Sequence, residues 1–419
     1  MADVKDPKLT SPDPPTIVAP PEAPVTPDGH PPSVAPAPDG HAAPAPPTGA
    51  LGRMEDQFAL RQLISEYLIP VETNTLWYTL GGVLAIALVL EVLTGVLLSF
   101  VYAPDAGRAY GITRDLLSRP VWSVILNFHY WNAFVIFALV LLHMLRVFVT
   151  GGYRGLGQRS KQGLWLTGVV LAGATFIASV TGESLHWDEV GFAVPWHVSE
   201  VFQAVGLASA VHYTFADLKN VTSATAKLGQ IYAVHISMAP LLLFGFLVLH
   251  YYLIKVKGIS FPFWRKASGK VAPFSSHIRE WLIYGSIILG LVLLVAIFVP
   301  RDPGTAPQLL PDSPLYGATH GPGGLGYKPT FPISWTHGMN VFVGEHLGIE
   351  PDIWGSILGM TVMVLALLAI PFVDRGRREL RGWRQAFNLR ERGWAFLAMG
   401  LFWLILIIGV VQNFVAGAG

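Results

Sequence analysis

Two pairs of histidines, His129 with His143 and His235 with His250, lie in two separate apolar stretches at intervals of 14 and 15 residues. An α-helix turns by roughly 100° and rises by about 1.5 Å per residue. Fourteen residues therefore return to nearly the same face about 21 Å further along, and fifteen return to within about 60° of it. Each stretch offers one imidazole at each of two depths. An imidazole in lipid is costly and needs a partner, and a single one is ordinarily a hydrogen-bonded residue between helices. Four in register instead give two facing bis-imidazole sites, one near each membrane surface, so the candidate metal ligands are His129, His235, His143 and His250. The natural occupants are two haem b groups.

Glycines repeat the same interval in two other apolar stretches, Gly81 to Gly95 and Gly168 to Gly182, each 14 residues apart. A flat macrocycle wedged among helices needs places without side chains. Small residues also let membrane helices pack closely, so the glycines gain weight only from matching the histidine interval. Both intervals would then serve one pair of stacked cofactors.

The elements that must position these residues are membrane spans. The chain has 419 residues, of which 52% are hydrophobic and 13% charged. Seven stretches are long and apolar enough to cross a bilayer: 76–101, 123–149, 164–182, 231–254, 281–299, 353–373 and 394–415. The loops after the second, fourth and sixth contain 4, 6 and 7 Lys plus Arg, against 3, 2 and 2 after the first, third and fifth. The positive-inside rule then puts the N-terminus in the cytoplasm and the C-terminus outside. His129 and His235 fall toward the outer face, His143 and His250 toward the inner.

The chain has no cysteine, which excludes disulfides, cysteine-ligated iron–sulfur clusters and thioether-attached haem on this polypeptide. A net charge of +1, with basic residues spread by loop, points to no nucleic-acid partner. No cleavable signal peptide is expected, because the first long apolar run begins near Leu76. Residues 1–50, rich in Pro and Ala, are expected to be a disordered extension. Residues from Met54 to Leu68 carry an amphipathic pattern suited to a helix on the membrane surface. Two long outer loops, 183–230 and 300–352, hold the polar chemistry available to a substrate or partner.

With these residues on view, the chain resembles the cytochrome b family of quinol-oxidising complexes. The resemblance is carried by Glu91-Val92-Leu93-Thr94-Gly95, by His143-Met144-Leu145-Arg146 running on to Gly152, by Val180-Thr181-Gly182-Glu183-Ser184-Leu185-His186-Trp187-Asp188, and by Ile254-Lys255-Val256-Lys257-Gly258-Ile259-Ser260. It covers Val71 to the last span. The extra residue between His235 and His250 is similar to the cytochrome b6 branch, so the seven spans look like cytochrome b6 fused to subunit IV. The implied fold is an all-α integral membrane protein: a four-helix di-haem domain at 51–270 and a three-helix subunit IV-like domain at 271–419.

The resemblance implies a di-haem cytochrome b subunit of a quinol:cytochrome c (or similar acceptor) oxidoreductase in an energy-transducing, bacterial plasma membrane. One quinol electron would go to a Rieske iron–sulfur protein and the other through the outer and inner haems to quinone near the cytoplasmic face. The implied partners are the Rieske protein, a c-type cytochrome, quinone, membrane lipid and a second copy of the chain. Arg146 would neutralise a haem propionate or a phospholipid. Asp188, Glu189 and Lys255 match motif positions suited to moving protons. One departure touches the outer quinol site: the family's Pro-Glu-Trp-Tyr motif reads Pro332-Ile333-Ser334-Trp335 here, without its glutamate. Glu345, Glu350 or His337 would then substitute, and His186 replaces the proline of Leu-Pro-Trp. The missing glutamate also motivates a second reading, a di-haem relay or anchor subunit without bifurcation. A transporter would have to explain four registered histidines without haem.

Overall fold

The computed structural model describes residues 68–155, 160–207, 221–302, 304, 329–350, 353–376 and 379–415. The Pro-rich extension, residues 54–67 of the amphipathic stretch, and parts of both long loops lie outside them. Among the described residues, seven helices are long and apolar enough to cross a membrane: Leu76–Ser99, Pro120–Thr150, Gln162–Leu185, Thr225–Lys257, Phe274–Phe298, Trp354–Val373 and Leu389–Val415. They match the seven stretches expected from hydropathy, and the chain is an all-α integral membrane protein. Many large apolar side chains along these spans are exposed, among them Leu241, Val248 and Leu365. A lipid-facing surface requires such side chains, while helical bonding satisfies the backbone.

The first span packs on the second and the third on the fourth, which makes the bundle that carries the histidines. Its middle layer is apolar, with Leu88, Ile136, Ala174 and Leu243 buried between the two histidine depths. The fifth span lies against the first two, and the sixth and seventh pack on each other and on a shorter helix, Ser334–Leu347. That helix can approach the seventh span closely because Gly338 faces the backbone of Gly409, where a Cβ would collide. Its N-terminal end holds Trp335, buried to 1% exposure, so the Pro332 segment is fixed to the bundle.

On the side carrying the basic loops, a buried ion network ties the second span to the sixth and seventh. Arg392 is fully buried and donates to the carbonyls of Phe148 and Ala386, each at 2.5 Å, adding to the Gly151 N–H that already caps the Phe148 carbonyl at the end of the second span. Asp374 accepts from Arg154 at 2.7 Å, from Arg392 at 3.2 Å and from Tyr153 at 2.7 Å. A small antiparallel pairing of Leu68–Pro70 with Val271–Pro273 joins the entrance of the first span to that of the fifth.

Fifteen residues separate His235 from His250, one more than the interval in the second span. The structure absorbs the extra residue in a π-helical turn, Val234–Met238, that contains His235 itself. A π turn adds one residue without interrupting the helix, so the angular offset read from the sequence is taken up locally.

Candidate functional site

His129 and His235 meet edge to face, with ring centres 6.2 Å apart and planes at 82°. Two imidazoles that share one axial metal through bonds of about 2 Å have ring centres roughly 6 Å apart, so this pair is spaced for a single metal between them. Among the described residues no group of three or more His, Cys, Asp or Glu is arranged to hold a bare metal ion. Two protein ligands suit a metal whose other positions are filled by a macrocycle.

The ring nitrogens are ordered for the same purpose. Nδ1 of His129 lies 3.1 Å from the Glu91 carbonyl and 3.0 Å from Thr94 Oγ1. Nδ1 of His235 lies 3.1 Å from the Ala178 carbonyl and 3.1 Å from Thr181 Oγ1. Nδ1 of His250 lies 2.8 Å from Thr167 Oγ1. Each of these threonines donates its hydroxyl proton to a carbonyl of its own helix. Its oxygen therefore accepts from the imidazole N–H, which commits Nδ1 and leaves Nε2 as the ligand nitrogen. His143 differs: Leu80 stands where the other three sites have threonine, and its Nδ1 faces Arg146 Nη2 at 3.3 Å. The Arg146 guanidinium also lies over the Tyr78 ring, 4.8 Å from its centroid.

Each of the four glycines faces one of the four histidines. A Cβ at Gly81 would stand 2.9 Å from Cε1 of His143, and one at Gly95 would stand 3.1 Å from Cε1 of His129. The corresponding distances are 3.6 Å from Gly168 to His250 and 2.9 Å from Gly182 to His235. Glycine thus clears the flank of His129, His143 and His235, and His129 and His235 with Gly95 and Gly182 fit a haem between them.

His129, His235, Gly95 and Gly182 themselves line a cavity of about 320 Å³ that extends to Glu91, Tyr130, Glu183, His186 and Pro332. Polar side chains gather at its rim. The third span ends at Leu185, and the chain reverses at Trp187, whose backbone is left-handed at φ 52°. A bulky residue in that conformation is strained. Its ring is fully buried, and the indole donates to the Ala106 carbonyl at 3.1 Å, which holds it there. The reversal lets Asp188 cap the next helix, Glu189–Ala204, by accepting from the Gly191 N–H at 2.8 Å.

Asp188 also accepts from Arg301 at 2.6 Å, with both side chains buried. Burial works against the Arg301 charge, but the Asp188 and Glu183 carboxylates more than offset it and hold its pKa above the usual value. Burial, and then the Arg301 charge, pushes His186 well below the usual imidazole range, so it is neutral at pH 7.

The other nominated residues lie elsewhere. Glu189 is buried in the turn after the cap. Lys255 is half-buried near the opposite end of the fourth span. His337 Nδ1 is 3.0 Å from Asn413 Oδ1, and Glu345 is exposed and accepts from Gln412 at 3.4 Å. Neither His337 nor Glu345 lines the described cavity, and Glu350 is exposed as well. Glu183 and Glu91 do line it, and sequence reasoning quoted both in motifs without nominating either. An acid inside an apolar span was the signal that marked them.

Fold and site together define a class, an all-α integral membrane protein whose spans present imidazoles suited to a metal macrocycle. The sequence profile of the family described as cytochrome b/b6/petB matches residues 64–258. Cytochromes b6 from Synechococcus elongatus and from a second Synechococcus are each 32% identical over 212 residues, which is 50% of this chain and 95% of theirs. A solved structure titled hyperthermophilic respiratory Complex III shares the fold, with a TM-score of 0.62 at 18% identity over 87% of this chain and 97% of that one. The chain belongs to the cytochrome b family and is an electron-transfer subunit of the cytochrome b/b6 type. Family membership implies haem b.

Proposed function

We propose that the chain is the di-haem cytochrome b of a quinol-oxidising complex, with His129 and His235 holding an outer haem and His143 and His250 an inner one. Bound there, haem b supplies reversible one-electron carriage at two depths. The observation that carries the reading is the 6.2 Å edge-to-face pair of His129 and His235, flanked by Gly95 and Gly182, in the wall of a cavity that reaches Pro332. The residues hold three of the four imidazoles in one tautomer, keep the middle layer apolar and leave a polar rim where quinol protons can depart.

Residues 51–270 then act as a cytochrome b6-like haem-binding domain and 271–419 as a subunit IV-like domain. The basic loops lie in the cytoplasm with the N-terminus. A Rieske iron–sulfur protein and a c-type cytochrome are the outer partners, and a second copy of the chain completes a dimer. Arg146, held beside His143 and Tyr78, neutralises charge at the inner haem. The reaction passes one electron of quinol outward and one across the membrane, with protons released outside.

The test is oxidant-induced reduction in membranes with the inner quinone site inhibited. A pulse of oxidant given with quinol present should transiently reduce the b haems. Simple oxidation or simple reduction would favour a relay subunit without bifurcation, a reading motivated by the missing glutamate of Pro332-Ile333-Ser334-Trp335.

A further inference from the structure

The outer cavity carries a carboxylate and an imidazole that the haem pockets do not use. Glu183 sits in the last turn of the third span, where a buried carboxylate is costly unless it is paired or functional. His186 follows one turn later on the same wall, and its Nδ1 stands 3.9 Å from Glu183 Oε2. That separation is beyond a hydrogen bond. The His186 Nδ1 is buried and has no hydrogen-bond partner.

A pair that served only stability would close this gap. The nearby cation does not close it, because Arg301 gives its 2.6 Å bond to Asp188 and leaves Nη1 buried without a partner. Thr330 lies beside both Glu183 and Tyr130, which brings the start of the Pro332 segment to the same corner. His186 also packs on Tyr130 with ring centres 5.5 Å apart. The groups facing the pair are therefore Arg301, Asp188 and Tyr130, with Glu91, His129 and His235 on the same cavity wall.

We propose that Glu183 and His186 are the proton-accepting pair of the outer quinol site, in place of the glutamate absent from Pro332-Ile333-Ser334-Trp335. The proposal rests on the reading of this cavity as a site of quinol oxidation. A hydroxyl O–H bond of quinol breaks, its proton passes to His186, and one electron leaves to an iron–sulfur acceptor at the outer face. The second hydroxyl gives up its proton to Glu183 as the second electron leaves to the outer b-type centre, so that each member of the pair holds one proton. Quinone, two protons and two electrons balance the step. Arg301, anchored by Asp188, stands close enough to Glu183 to attract its carboxylate.

The experiment uses membranes containing the whole complex and duroquinol as the reductant. Glu183→Gln, Glu183→Asp and His186→Phe are compared with the wild-type chain by haem content, binding of a quinone-analogue inhibitor, and the rate of b-haem reduction across pH. The proposal expects normal haem and inhibitor binding with rates about 100-fold lower in Glu183→Gln and His186→Phe, the range of a lost general base. It also expects partial rescue in Glu183→Asp and a changed pH profile in His186→Phe. Rates within twofold of wild type and an unaltered pH profile would overturn it. If Glu183→Gln loses its haems, His186→Phe decides. If the wild-type chain itself shows no oxidant-induced reduction, the underlying reading of the cavity fails, and the proposal with it, whatever the variants do.

Discussion

Replacing the four glycines by alanine gives a graded test of the haem pockets. In Gly182→Ala the added carbon lands 2.9 Å from Cε1 of His235. Carbon atoms rest at about 3.5–4.0 Å from one another, so the imidazole must retreat by roughly 0.6–1 Å. A ligand constellation tolerates only about 0.5 Å of displacement. Overpacking of this kind costs about 1–3 kcal/mol, and at about 1.4 kcal/mol per tenfold that is roughly 5- to 150-fold in haem affinity. Gly81→Ala meets His143 at the same 2.9 Å, Gly95→Ala meets His129 at 3.1 Å, and Gly168→Ala meets His250 at 3.6 Å, an ordinary contact. Outer haem should therefore be lost from Gly182→Ala and inner haem from Gly81→Ala. Gly95→Ala should be intermediate and Gly168→Ala close to wild type. Alanine favours the helix over glycine by about 1 kcal/mol, so the loss should not come from an unfolded span. The assay is haem per chain from reduced-minus-oxidised spectra, with stepwise potentiometry to separate the two haems. A loss in Gly168→Ala equal to or greater than that in Gly182→Ala would refute the reasoning.

Other outcomes follow from the same structure. His143→Ala or His250→Ala should remove the inner haem and spare the outer one, read by the same spectra; retention of both haems in either variant would contradict the ligand assignment. Asp374→Ala leaves Arg154 and Arg392 buried without their shared carboxylate, a change that costs about 3–5 kcal/mol. Thermal unfolding in detergent should show a clear fall in Tm, and an unchanged Tm would argue against the network as a clamp. The Ser268 side chain and its backbone N–H, the latter at 2.6 Å, hold Glu72 below the usual carboxylate pKa. That contribution to stability is present above the unfolded pKa and is lost as pH falls through the folded one. Glu72→Gln should accordingly lower Tm at pH 7 and bring the two chains together at acid pH; an equal deficit at every pH would count against the ionic character of the contact.

The spans were legible because a helix crossing lipid needs an unbroken apolar run, and the seven runs in this chain are separated by loops rich in Gly, Pro and charge. The intervals of the histidines and glycines were legible because helical geometry is regular over fourteen residues. The π turn at His235 was not, since residues 234–238 are Val-His-Ile-Ser-Met and carry no distinguishing pattern. The polar corner of the cavity at His129 and His235 was also hidden. Glu183, Asp188, Arg301 and Thr330 are brought together where the chain leaving the third span meets the chain leaving the fifth and the Pro332 segment, over more than a hundred residues of sequence. Loop position alone therefore led to Glu345 and His337, whereas burial singles out Glu183 and His186. Arg392 was legible only as one of seven basic residues counted for orientation, yet it is the fully buried centre of the network that joins the two halves of the bundle.

The number and ligation of the haems test the di-haem assignment most directly. Pyridine haemochrome analysis combined with low-temperature EPR of the purified full-length chain would measure both at once. Two haem b per chain, both low-spin with bis-imidazole signals, is the expected result. One haem, none, or a high-spin signal from either site in the wild-type chain would contradict it.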